Sequence, residues 1–140
     1  MIQIVEVNYV AVLVAAIASF VIGALWYSPM LFGKMWMKLS GVADKNMKKA
    51  KEKGMNKNFA FQFLGSLIMA YVLAHFIQYT QSSTIAEGMQ AGFWIWLGFI
   101  ATVMLGMVLW EGKPWKLYFV KAGHELVALA VMGAILAVWV

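Results

Sequence analysis

Long uncharged apolar runs alternate with short polar stretches along this chain, and that pattern sets its elements. A bilayer core of about 30 Å needs roughly 20 apolar residues in helical conformation, and four runs reach that length. The first covers residues 7–27, uncharged between Glu6 and Lys34, with Pro29 closing it. The second covers residues 59–79, inside an uncharged stretch from Asn58 to Ala86. The third covers residues 85–110 and opens on the capping box Thr84-Ile85-Ala86-Glu87, whose hydroxyl and carboxylate reciprocally satisfy first-turn amides. The fourth covers residues 115–140 behind Pro114, a residue suited to a first helical turn. Continuous rather than alternating apolarity makes these helices and not barrel strands. Between the first two, Phe32-Gly33-Lys34-Met35-Trp36-Met37-Lys38-Leu39 interleaves bulky apolar residues with lysines, the pattern of a helix lying at head-group level. Residues 44–57 read as a solvated, lysine-rich helix or loop. The expected fold is all-α: one polytopic membrane domain over residues 1–140, a bundle of four transmembrane helices with an interfacial segment after the first.

Composition supports that class. The chain is 64% hydrophobic and 12% charged, against about 25% charged in soluble domains, which excludes a soluble globule and intrinsic disorder alike. There is no cysteine, so disulfides and thiolate chemistry are absent. All eleven basic residues are lysine, which argues against bidentate guanidinium recognition of phosphate or carboxylate. A pI near 9.5 would point to nucleic acid in a soluble protein. Here the lysines flank apolar spans, so the expected partner is the lipid bilayer, with anionic head groups at the loop, and no nucleic acid.

Eight lysines (34, 38, 45, 48, 49, 51, 53 and 57) lie between spans one and two, and Lys113, Lys116 and Lys121 lie between spans three and four or at the start of the fourth. The other connection and the termini carry none. The positive-inside rule then places both lysine-bearing loops in the cytoplasm and both termini outside it. The expected location is the bacterial cytoplasmic (inner) membrane, multi-pass. The first span has no preceding basic residue and a poor cleavage site in Trp26-Tyr27-Ser28-Pro29, so it reads as a retained helix.

Small residues recur at spacings of four, the means by which helices approach closely in lipid. Span one carries Ala11, Ala15, Ser19 and Gly23; span two Gln62, Ser66, Ala70, Ala74 and Gln78; span three Gly98, Thr102 and Gly106. Span four pairs Ala130 with Ala134 and Gly133 with Ala137. The endings Gly23-Ala24-Leu25-Trp26 and Gly106-Met107-Val108-Leu109-Trp110 hint at a parallel internal repeat.

An ionisable group inside a span costs roughly 2.5–3.5 kcal/mol on insertion scales and needs a reason. Span four holds Lys121, His124 and Glu125, with Glu111 ending span three at a similar level. Lys121 and Glu125 share a helical face at i, i+4. The expectation is a Lys121–Glu125 clasp fixing helix register, the other reading being a proton- or cation-handling site. His75 stacks between Tyr71 and Tyr79 near the opposite end of span two. The two histidines are too far apart to share a metal, and no phosphate loop, nucleophile elbow or catalytic triad is present. Neither enzyme chemistry nor a cofactor is expected. The aromatics Trp26, Tyr27, Trp36, Trp94, Trp96, Trp110, Trp115, Tyr118 and Trp139 fall where interfacial belts belong.

Leu25-Trp26-Tyr27-Ser28-Pro29 with Phe32-Gly33-Lys34 and Trp36 form one block, and Glu111-Gly112-Lys113-Pro114, Lys116-Leu117, Ala122-Gly123 and Leu126-Val127-Ala128-Leu129 a second, continued by Met132-Gly133-Ala134-Ile135-Leu136. In these the chain resembles domain of unknown function family 1761, over nearly its whole length. The resemblance implies a four-helix inner-membrane protein with no assigned activity. The chain departs from the family's usual pattern in carrying His124 where an aromatic residue is usual and Glu125 where a histidine is. The functional expectation is a homo-oligomeric membrane protein forming a small channel or transporter, the alternative a structural or accessory subunit.

Overall fold

The computed structural model describes residues 6–28, 30–40 and 55–139. Pro29 and the lysines at 45, 48, 49, 51 and 53, on which expectations above rest, lie outside them. Among the described residues, four helices are long and apolar enough to cross a membrane, as the hydropathy pattern requires.

Helix α1 spans Tyr9–Trp26. Asn8 starts it, its carboxamide oxygen accepting from the Val10 and Ala11 amides at 3.0 and 3.2 Å, which satisfies two of the orphan donors of a first turn. The chain turns sharply after Tyr27, with Phe32 N–H bonding the Trp26 carbonyl at 3.0 Å and Gly33 N–H the Ser28 carbonyl at 2.8 Å. A side chain at Gly33 would run into the Tyr27 and Ser28 backbone, so glycine is required there. Helix α2, Gly33–Ser40, follows as the short amphipathic segment expected.

Helix α3, Met55–Tyr79, starts four residues before the apolar run, because Met55-Asn56-Lys57-Asn58 extend the helix without needing to be apolar. Helix α4, Ile85–Ile95, is capped by Thr84, whose hydroxyl accepts from Glu87 N–H at 3.1 Å. The Glu87 carboxylate reaches back to the Ser83 amide (3.0 Å), one residue before the amide of the expected box. The third span then departs from the straight helix expected. It continues as a π-helical turn, Trp96–Ala101, and two short helical pieces, Thr102–Met104 and Gly106–Leu109, either side of Leu105. Gly112, with φ of 70°, makes the turn that follows. Pro114 is the cap of helix α5, Trp115–Val138, rather than part of its first turn.

Helix α5 is the hub, packing on α1, α3, α4 and α2. The core is Ala11, Ala15 and Ala16 of α1, Ala70, Leu73, Ala74 and Ile77 of α3, and Ala128, Leu129, Met132 and Leu136 of α5. The seams of spans one and two thus face inward as the spacing implies, although Gln62 is exposed. The expected seam of span three does not: Gly98 and Thr102 are exposed, and a side chain at Gly98 would meet nothing within 4 Å. Gly88 and Gly92 make the close approach instead. A Cβ on Gly88 would collide with the Gly133 backbone and crowd the Ala137 methyl, and one on Gly92 would lie 2.5 Å from the Leu129 carbonyl oxygen. On α5 it is Gly133 with Ala137 that seats α4, while Ala130 and Ala134 are partly exposed.

The topology gathers the described lysines, Lys34, Lys38, Lys57, Lys113, Lys116 and Lys121, towards one end of the bundle. Glu6 and Glu87 belong to the other.

Candidate functional site

The site forms at the lysine end, where the last turn of α1 crosses the first half of α5. Two local patterns build it, Gly23-Ala24-Leu25-Trp26-Tyr27 on α1 and Val120-Lys121-Ala122-Gly123-His124-Glu125 on α5. Trp26 donates its indole N–H to the Val120 carbonyl at 2.9 Å. Its ring lies over Gly123, where a Cβ would be 3.3 Å from it. One turn back along α1, Gly23 leaves room for the His124 imidazole: a Cβ there would sit 3.2 Å from Nε2. The imidazole meets Tyr27 edge-on at 5.2 Å and Trp26 at 6.2 Å between centroids. Trp36 of α2 packs on Tyr27 (5.6 Å) and Phe32 on Trp26 (4.8 Å), so α2 covers the site from the lysine end.

His124 Nδ1 is 3.5 Å from Glu125 Oε1, a contact longer than a well-formed hydrogen bond and ionic only when the imidazole is protonated. The other ring nitrogen, Nε2, is buried and has no hydrogen-bond partner among the described residues. An orphaned polar atom of this kind costs about 1–3 kcal/mol. Glu125 keeps 28% of its side-chain surface exposed against 13% for His124, so its side chain is partly open while the imidazole is largely enclosed.

The expected Lys121–Glu125 clasp is not formed: among the described residues Glu125 instead contacts His124, its neighbour on the same helix. Such a pair cannot hold two helices in register. The reason lies in Lys121, which sits one turn nearer the polar end and can carry its ammonium there along its alkyl stem, keeping it hydrated. Glu111 is exposed in the turn after the third span and makes no ion pair among the described residues. His75 is remote and locally satisfied, its Nδ1 2.8 Å from the Tyr71 carbonyl and its ring 4.6 Å from Tyr71 and 6.4 Å from Tyr79. Of the five polar candidates, then, the structure brings only His124 and Glu125 together. Among the described residues no group of three His, Cys, Asp or Glu side chains converges to hold a metal.

Three aromatics counted as belt residues do something else. Trp26 and Trp96 donate to the Val120 and Ala122 carbonyls of α5, the latter at 2.8 Å, and the Tyr118 hydroxyl donates to the Ala101 carbonyl at 2.9 Å. In a regular helix the Leu105 amide would take the Ala101 carbonyl, but it bonds Thr102 at 3.3 Å. Tyr118 thus serves a carbonyl that the irregular third span frees, as helix irregularities within a membrane demand. Trp94 and Trp110 remain exposed. The suggested repeat is not carried into environment, for Trp26 is packed and bonded whereas Trp110 is 87% exposed.

The Gly23/Trp26/Tyr27 contribution went unnoticed in the sequence, although its spacings of three and four, matched by Val120/Gly123/His124, were a usable signal. A family model described as "Protein of unknown function (DUF1761)" matches residues 10–137. No curated protein and no solved structure matches the chain.

Proposed function

The chain belongs to this DUF1761 family, which brings no activity with it, and from the geometry we propose that the protein is a non-enzymatic, homo-oligomeric small channel or transporter of the bacterial cytoplasmic membrane. The observation that carries the reading is the His124–Glu125 pair. An ionisable pair inside an apolar span is retained against its insertion cost, and here, among the described residues, it makes no hydrogen bond or ion pair to a second helix. A proton or small cation passing the lysine end would use the partly open Glu125 side chain, with His124 as its neighbour. The core between α1, α3 and α5 is closed by Ala15, Ala70 and Met132, each fully buried. A path within one protomer would have to part that seam; a path between protomers would not.

Assembly draws on the third span. Its apolar window is 11% buried, against 28–39% for the other three, and Gly98 and Thr102 face away from the bundle. The same face favours the second reading, a structural or accessory subunit that docks another protein and has no path of its own.

The test is proton and potassium flux in proteoliposomes. We expect flux above that of empty vesicles, lost in Glu125→Gln at unchanged thermal stability and oligomer size. Wild-type flux equal to that of empty vesicles, or a Glu125→Gln variant that conducts normally, would overturn the transport reading.

A further inference from the structure

We infer that the end of the bundle opposite the lysines carries a binding site for a small primary alkylammonium ion. A cavity of about 190 Å³ lies there between the start of α1 and the last turns of α3 and α5, lined by Glu6, Asn8, Ala74, Gln78, Leu136 and Trp139 among others. At about 30 Å³ per water, it has the volume of roughly six waters, room for a short-chain amine and not for a drug-sized ligand.

Its charge selects a cation. Glu6 is its ionisable lining residue, and among the described residues no lysine belongs to this end. Two helices, α3 and α5, point their C-terminal ends at it, each the negative end of a peptide dipole. The Val10 and Ala11 amides at the start of α1 and the Phe76, Ile77 and Gln78 carbonyls at the end of α3 are all hydrogen-bonded within the chain, so the charge of the cavity rests mainly on Glu6.

Its shape selects an amine with a short apolar tail. The Glu6 carboxylate and the Gln78 amide oxygen can accept from an ammonium, and Trp139 adds an aromatic ring to the same lining. The methyls of Ala11 and Ala74 and the side chain of Leu136 form an apolar floor against which a few methylenes lie. An alkali cation would lose that apolar contact, and a neutral alcohol would lose the charge-assisted bonds.

Binding here needs neither transport nor assembly, so its failure and the failure of the proposed function are distinguishable. The test is isothermal titration of the full chain in a zwitterionic detergent with n-butylammonium chloride. n-Butanol serves as the neutral isostere and sodium chloride as the ionic control. We expect saturable binding of the amine alone, weakened by roughly tenfold or more in Glu6→Gln and also weakened in Trp139→Leu. Glu87→Gln, a charge at the same end but outside the cavity lining, should bind as wild type does. Absence of saturable amine binding, equal binding of butanol, or undiminished affinity in Glu6→Gln overturns the proposal. Glu6 is exposed and precedes α1, so its substitution leaves the fold in place.

Discussion

Gly23 admits an imidazole between two membrane helices, and Gly123 admits the indole beside it. The first faces His124 Nε2 and the second lies under Trp26. If His124 were there for packing alone, an apolar ring would serve better, since it leaves no nitrogen orphaned. His124→Phe should therefore hold or raise the thermal midpoint in detergent while proteoliposome flux falls. Gly23→Leu should lower the midpoint by an amount equivalent to about 1–3 kcal/mol, through overpacking against the same ring. A midpoint in His124→Phe lower than that in Gly23→Leu would mean that the imidazole holds the bundle together. Sequence alone exposes His124 and Glu125, because ionisable residues stand out in an apolar run. It does not expose their partners. Spacing of i, i+4 says only that Lys121 can reach Glu125, whereas the outcome is set by how far Lys121 lies from the polar end, and that is read from the packed helices.

Among the elements, the four spans were legible because each apolar run is longer than any competing structure needs, and caps at Thr84 and near Pro114 mark their starts. The irregularity of the third span was not legible. No proline or glycine pair falls within Trp96–Ala101 except Gly98, and a π turn there depends on what neighbouring helices supply to freed carbonyls, as Tyr118 does for Ala101. Span three also carries small residues in two places, and spacing cannot rank them. Gly88 and Gly92 lie against α5 backbone, whereas a side chain at Gly98 would meet nothing within 4 Å. This division makes a prediction at the scale of the helix. Gly88→Leu and Gly92→Leu should separate α4 from α5 and abolish recovery of folded protein, because backbone atoms cannot yield as a flexible side chain would. Gly98→Leu should leave the monomer folded and convert the proposed oligomer to smaller species, as read by native mass spectrometry. A Gly98→Leu variant of wild-type oligomer size would remove the third span from the subunit contact.

Across the whole molecule, the dominant asymmetry is electrostatic. The structure sends every described lysine towards one end and leaves Glu6 and Glu87 at the other. Moving a lysine ammonium through the hydrocarbon core costs several kcal/mol, and residues 41–54 add five more lysines in sequence to the same connection. One insertion direction leaves all eleven on the side of synthesis, where anionic lipids also attract them; the opposite direction would carry them all across. The two orientations are therefore far from balanced, and a single population is expected in cells. Cysteine-free wild type makes this directly measurable, since an introduced thiol is the sole target. Ser82→Cys, in the connection between α3 and α4, should react with an impermeant maleimide in sealed cells. Lys49→Cys should react only after the membrane is permeabilised. Labelling of Lys49→Cys in sealed cells would invert the assignment, and with it the side from which the Glu6 cavity meets an amine. Labelling of both thiols in sealed cells would instead show a mixed population, which an uneven lysine distribution does not permit.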